Sequence, residues 1–338
     1  MTILRTPDER FEMLPGFPYE PHYLEQLPGY EGLRLHYVDA APTPLTTATT
    51  ASRSGDARDH APGAAARPPG TWAPPPRHES PPVFLCLHGE PTWAYLYRKM
   101  IPVFTQAGCR VVVPDFFGFG RSDKPVEDQA YTFHFHRDAL MRFIEALDLR
   151  NVVLVVQDWG GFIGLTLPME YPDRITGLLI MNTDLPAGRA PSVAFYGFKA
   201  FMAMQRDPRV GWLMRRAVPG LSAAEAEAYA APFPDARYKA GVRRFPRMVM
   251  VRPDMEGVEV TRAARDYLAR NWSGPTFMAV GTRDPFLGPP VMNRLRETIQ
   301  AAPEPLRVRA GHFVQEAGRE VAGAALGHFM GVHPAPSV

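Results

Sequence analysis

The chain has 338 residues, 46 % of them hydrophobic, and a formal net charge of +2. That length suits one large α/β core carrying an insertion, and the near-neutral charge gives no reason to expect nucleic acid as a partner. No run of about eighteen apolar residues occurs and residues 1–10 are polar with no signal-peptide core, so neither a membrane partner nor export is expected and the location is read as cytoplasmic.

Residues 33–38 alternate apolar and polar side chains, the pattern of a half-exposed strand. From 41 to 82 the composition turns to Pro, Ala, Thr, Ser and Arg, with Trp72 almost the only large apolar residue. Such a stretch cannot bury enough surface to offset its ordering entropy, so a disordered excursion between two strands is expected. Residues 83–87 form the next strand and lead into His88-Gly89-Glu90-Pro91-Thr92-Trp93, in which His88 reads as structural. A strand at 111–114 precedes the loop from Asp115 to Asp123, which lacks the Gly-Lys-Ser/Thr or strand-GxGxxG-helix order of a phosphate cradle. Residues 131–147 have helical periodicity. His134 and His136 lie two apart there and point in different directions, so no shared metal is expected. Cys86 and Cys109 lack metal-ligand spacing and read as buried free thiols.

Residues 152–156 are a short run of β-branched and apolar residues ending in Gln157-Asp158-Trp159-Gly160-Gly161, after which 162–171 reads as helix. A strand feeding a helix through Asp-Trp-Gly-Gly has the form of a nucleophile elbow, whose sharp turn lifts one side chain above the sheet. Here that side chain is Asp158. Taken alone, Asp158 also fits a plain helix N-cap. A strand at 177–181 ends at Asn182, and residues 184–254 then break the strand–helix alternation with a helical, proline-interrupted insertion read as a cap. Alternation resumes with a strand at 276–280 that delivers Asp284, a helix at 290–300, a strand at 306–309, the Gly311-His312-Phe313 loop and a last helix to about 330. The reading is one α/β-hydrolase domain, with a mostly parallel sheet flanked by helices, over 1–183 and 255–338, and a cap over 184–254.

Asp158, Asp284 and His312 follow strands in the order nucleophile, acid, histidine that this fold uses. A carboxylate is already ionised at neutral pH and can displace a leaving group from saturated carbon, forming an ester on Asp158. His312 then takes a proton from water, the water attacks the ester, and Asp284 fixes the imidazole tautomer. Backbone N–H groups of Glu90 and Trp159 are the candidates to hold the oxyanion.

These segments, together with Asp284-Pro285-Phe286-Leu287-Gly288-Pro289 and Gly311-His312-Phe313-Val314-Gln315-Glu316, resemble the haloalkane dehalogenases, especially the type acting on short chlorinated alkanes. The likeness runs from Arg5 to the final helix, apart from the proline-rich stretch and part of the insertion. It implies a small apolar halogenated substrate, a halide ion as product, no cofactor or metal, and halide binding by the Trp159 indole. Phe162, Phe286, Leu287 and Phe313 are expected to line the pocket, and a monomer is expected. One position departs from the pattern. The family type takes a second halide donor from a cap tryptophan, and the register set by Tyr229-Ala230-Ala231-Pro232-Phe233-Pro234-Asp235 puts Phe198 there; another type uses Asn after His-Gly, where this chain has Glu90. Trp212 is the one cap tryptophan that could substitute. Epoxide hydrolases share His-Gly-X-Pro, Asp-Trp-Gly-Gly and the ester mechanism, and need acidic phenols, for which Tyr196, Tyr229 and Tyr238 are candidates. A non-catalytic binder on the same scaffold is the reading from a different class.

Overall fold

The computed structural model describes residues 2–43, 80–189, 192–300 and 302–332. Most of the proline-rich stretch expected to be disordered, 44–79, lies outside the described residues. The strands in chain order are β1 (Ile3–Leu4), β2 (His22–Leu24), β3 (Leu35–Ala40), β4 (Val83–Leu87), β5 (Arg110–Pro114), β6 (Lys124–Pro125), β7 (Val152–Gln157), β8 (Ile175–Met181), β9 (Thr276–Gly281) and β10 (Leu306–Val308). The α-helices are α1 (Ile101–Gln106), α2 (Phe133–Ala146), α3 (Trp159–Gly164), α4 (Val193–Met204), α5 (Val210–Ala217), α6 (Ala223–Ala230), α7 (Ala240–Met248), α8 (Val258–Arg270), α9 (Pro289–Thr298) and α10 (Gly318–Met330).

Eight strands make one sheet in the order β10-β9-β8-β7-β4-β5-β3-β2. Every pairing from β10 to β5 is parallel, whereas β3 pairs antiparallel with β5 and β2 with β3. The central strand β7 is buried along its whole length, as a strand covered on both faces must be, which is why it reads as a continuous apolar run without alternation. The parallel register puts the C-terminal ends of β4, β7, β8, β9 and β10 on one edge, where open α/β sheets bind their ligands. Between β8 and β9 no strand occurs among the described residues; helices α4 to α8 fill the interval.

Two expectations move. Helix α3 ends at Gly164 and does not run on to 171, because Pro168 has no N–H to give and its ring excludes the carbonyl of residue 164. The first strand of the expected series begins at Leu35 and not at 33, because the turn at Gly32, with φ +84°, and the Leu33 N–H bond to the Tyr30 carbonyl delay extension. Cys86 and Cys109 are both free and buried.

Candidate active site

Asp158 sits between β7 and α3 with φ 51° and ψ −125°, a backbone conformation that costs a non-glycine residue of order 1–3 kcal/mol. Its side chain makes no capping bond to the helix, so the N-cap reading fails. The turn is held closed by Asp158 N–H donating to the Asn182 carbonyl at 3.0 Å and by the Thr183 hydroxyl donating to the Asp158 carbonyl at 2.8 Å. It also depends on glycine: a Cβ on Gly160 would lie 2.1 Å from the Leu87 carbonyl oxygen, and one on Gly89 would lie 2.4 Å from Asp158 Cβ. The freed carboxylate accepts the Glu90 N–H on Oδ1 at 3.0 Å, and its Oδ2 lies 3.5 Å from His312 Nε2.

His312 leaves the loop after β10. Its Nδ1 lies 2.8 Å from Asp284 Oδ2. Asp284 is fixed in turn by the Asn182 amide, donating to the same oxygen at 2.7 Å, and by Phe286 N–H, donating to Oδ1 at 2.8 Å. Asn182 is itself locked, because its Oδ1 accepts Gly281 N–H at 2.8 Å. The Gln157 amide N–H donates to the His312 carbonyl at 3.2 Å and lies 3.0 Å from Nε2. Nε2 can accept from that amide only when His312 is neutral. The sequence reading placed Asn182 only as a strand end and Gln157 only as part of a motif; the adjacency of β8 and β9 brings out the first and the β10 loop the second.

Electrostatics separate the carboxylates. Burial alone would strip the proton from His312, but the Asp284 charge and then the bond to Asp158 outweigh it and push its pKa up to about 10. Asp284 is also opposed by burial, and the His312 charge and hydrogen bond hold it below its ordinary value. For Glu90, burial comes first and the Asp158 charge second; both act in one direction and hold its carboxyl well above the carboxylate range, against only a small opposing effect of His312. His88 packs into the structure, its Nδ1 3.0 Å from the Gly89 carbonyl and its Nε2 accepting Phe116 N–H at 2.9 Å.

These groups open on a cavity of about 100 Å³, the size for a small molecule. Asp158, Glu90 and His312 are its charged or titratable lining residues, and Trp159 lies beside them. Phe162, Phe286, Leu287 and Phe313 all line it, as does Phe198, whose ring centroid is 5.3 Å from that of Phe286. The sequence did not single out Pro91, Phe195, Leu213, Met214, Ala217, Pro246 and Val249, which complete the wall; which face of a helix in the insertion turns inward is set by tertiary packing. Trp212 is the reading that fails. It is 47 % exposed, 6.3 Å from Phe201 and under Arg216, and it does not line the cavity. Neither do the three phenols: Tyr196 is half exposed, Tyr229 is buried on Glu316 and Arg98, and Tyr238 packs against the core elsewhere. Among the described residues no group of three or more His, Cys, Asp or Glu side chains is placed to hold a metal, and no helix is long and apolar enough to cross a membrane.

The strand order and an elbow carrying its side chain above the sheet define an α/β hydrolase, and the family model for the α/β hydrolase fold matches residues 82–318. Within that fold the chain belongs to the haloalkane dehalogenases, hydrolases acting on carbon–halide bonds. It is 41 % identical to haloalkane dehalogenase 1 of Mycobacterium bovis, over 95 % of this chain and 97 % of the relative. It is 36 % identical to the haloalkane dehalogenase of Psychrobacter cryohalolentis, over 99 % and 100 %. The tetrameric structure of haloalkane dehalogenase DpaA from Paraglaciecola agarilytica NO2 superposes with a TM-score of 0.85 at 44 % identity, covering 98 % of this chain and all of that one.

Proposed function

We propose that this enzyme hydrolyses small haloalkanes to alcohol, halide and a proton through a covalent ester on Asp158. The observation that carries the reading is the contrast inside one cavity: a carboxylate side chain, held by a backbone N–H and a histidine, faces a wall that is otherwise almost wholly apolar. A water-poor pocket leaves the Asp158 oxygen reactive toward saturated carbon and suits a substrate with no hydrogen bonds to offer. Oδ1 is occupied by the Glu90 N–H, so Oδ2 is the attacking atom, and the Trp159 indole N–H binds the leaving halide.

Alkylation removes the Asp158 charge. His312 then loses the hydrogen bond and the Coulomb attraction that help keep it protonated, while burial continues to act in the opposite sense. Its proton is released, which accounts for the acid formed with the halide, and the neutral Nε2 becomes the base for water. Asp284, held by Asn182 and Phe286 N–H, supports the imidazolium that follows. Attack on the ester carbonyl puts charge on an oxygen that the Glu90 N–H, already on Asp158 Oδ1, stabilises together with the Trp159 N–H in this reading. The helical insertion over 184–254 acts as the cap that supplies the apolar wall.

The rival epoxide hydrolase reading needs a phenol at the opening oxygen, and among the described residues no tyrosine lines the cavity. The test is a paired panel: bromide release from 1,2-dibromoethane and 1-bromobutane beside diol formation from small epoxides. Bromide release without diol formation supports the reading; diol formation without bromide release overturns it.

A further inference from the structure

The halide needs directed donors, and none of the described residues of the helical insertion that line the cavity supplies a second one. Phe198 offers only a ring, and Trp212 lies outside the cavity. Glu90 does face the site. Its own N–H is fixed on Asp158 Oδ1 at 3.0 Å, so its side chain departs from a backbone pinned beside the reacting carboxylate. The residue is only 7 % exposed, it lines the cavity with Trp159, and its Oε1 is buried with no hydrogen-bond partner among the described residues. A buried polar atom left without a partner costs roughly 1–3 kcal/mol and is retained where a ligand completes it.

We propose, resting on the dehalogenase reading of this pocket, that the Glu90 side chain supplies the second hydrogen bond to the halide, donated from its carboxylic O–H. Two carboxylates share this small cavity, and only one has compensation: Asp158 has an N–H and His312, whereas Glu90 has neither. The groups that act on the Glu90 carboxyl are Asp158, which disfavours its ionisation together with burial, and His312, which favours it weakly. Glu90 is therefore the protonated member of the pair, a donor where an ionised glutamate would repel an anion. No proton moves in the step. The carbon–halogen electron pair leaves with the halogen, Asp158 Oδ2 forms the new bond to carbon, and the Glu90 O–H and Trp159 N–H turn to the departing anion.

The test is bromide binding to the full chain at neutral pH, followed by tryptophan fluorescence, in wild type, Glu90→Gln and Glu90→Met. Glutamine keeps a donor at the same length; methionine keeps the length and loses the donor. Glu90→Gln is expected to bind within about threefold of wild type and Glu90→Met about tenfold or more weakly. Infrared difference spectra supply a readout that does not depend on either variant's fit: wild type should show the carbonyl stretch of a protonated carboxyl that shifts on adding bromide and is missing in Glu90→Gln. Absence of that band, Glu90→Met binding as tightly as wild type, or Glu90→Gln binding as poorly as Glu90→Met overturns the inference while wild-type bromide release leaves the dehalogenase reading standing. Wild type that neither binds bromide nor releases it from 1,2-dibromoethane overturns both.

Discussion

Arg98 is where the helical insertion is fastened to the sheet domain, and replacing it should show how much of the molecule's stability lies in that junction. Its guanidinium donates to Glu316 at 2.8 and 2.9 Å, to Glu225 on α6 at 2.7 Å and to the Tyr229 hydroxyl at 3.1 Å. The Arg98 and Glu316 side chains are 4 % and 8 % exposed, and Glu225 is 21 % exposed. Arg98→Met leaves Glu316 buried without its bidentate partner and takes one donor from the Tyr229 hydroxyl, which still donates to Glu316, and breaking one side of a buried ion pair costs about 3–5 kcal/mol. Lys99 still reaches Glu316 at 2.7 Å and Glu225 can turn to solvent, so the lower end, about 3 kcal/mol, is the expected loss. Against a total of about 5–15 kcal/mol that is a large fraction. Urea unfolding of wild type, Arg98→Met, Glu316→Gln and the double variant measures it, and the double variant should lose clearly less than the sum of the singles, because each single variant strands the other partner. A loss under about 1 kcal/mol for Arg98→Met, or strict additivity, would show that the cluster behaves like exposed surface pairs and refute the reasoning.

The same cluster sets an acid response. Burial pushes the Glu316 and Glu225 carboxyls up, but the bonds from Arg98, joined by those of Lys99 and Tyr229 to Glu316 and of Ser222 to Glu225, outweigh it and hold both below their ordinary values, Glu225 at about 2. Their stabilisation is complete above the unfolded value of about 4.3 and is lost as pH falls through the folded values, so a stability titration from pH 5 downward should fall less steeply in Arg98→Met than in wild type. Asp284→Asn, which removes the charge that keeps His312 protonated and oriented, should leave the fold intact and slow turnover about a thousandfold or more, measured as steady-state bromide release. Phe198→Trp adds an indole N–H at the cavity wall and should raise chloroalkane turnover by up to about tenfold while changing bromoalkane turnover less, since chloride gains more from each donor; equal changes for both halogens would argue against a halide contact there. Ala40 pairs with Val111 and Val83 with Arg110, so β3 and β4 flank one strand and lie about 10 Å apart at that end. Replacing 44–79 by a Gly-Ser linker of about six residues should preserve melting and turnover; a folded variant with a large loss of turnover would give that stretch a part in the site.

Much of the candidate site could be read from the chain because Asp158, Asp284 and His312 each sit at a strand end with a local signature. The β-branched run before Asp158 and the two glycines after it encode an elbow, since only glycine fits where Gly160 meets the Leu87 carbonyl. Asp284 and His312 fall after strands in the order the fold demands. What stayed hidden was contact across sequence distance. Asn182 looks like an ordinary strand terminus until β8 lies beside β9, which puts its amide on Asp284. Glu90 looks like one letter in a loop motif until burial leaves its Oε1 without a partner. The inward faces of α4, α5 and α7 are not fixed by periodicity, because a helix of the insertion carries apolar residues both toward the sheet domain and toward the cavity. Trp212 shows the cost: residue type alone makes it a candidate donor, and packing turns it outward.

The central claim is the ester on Asp158, and His312→Gln tests it most directly. Glutamine removes the base for hydrolysis but leaves Asp158, the Glu90 N–H and Trp159 in place, so alkylation should proceed and stop. Mixing the variant with 1-bromobutane and analysing its peptides by mass spectrometry should find a butyl group on Asp158, with about one bromide released per active site. Wild type that releases bromide continuously, beside a folded His312→Gln variant that releases none and carries no butyl group, would contradict the account.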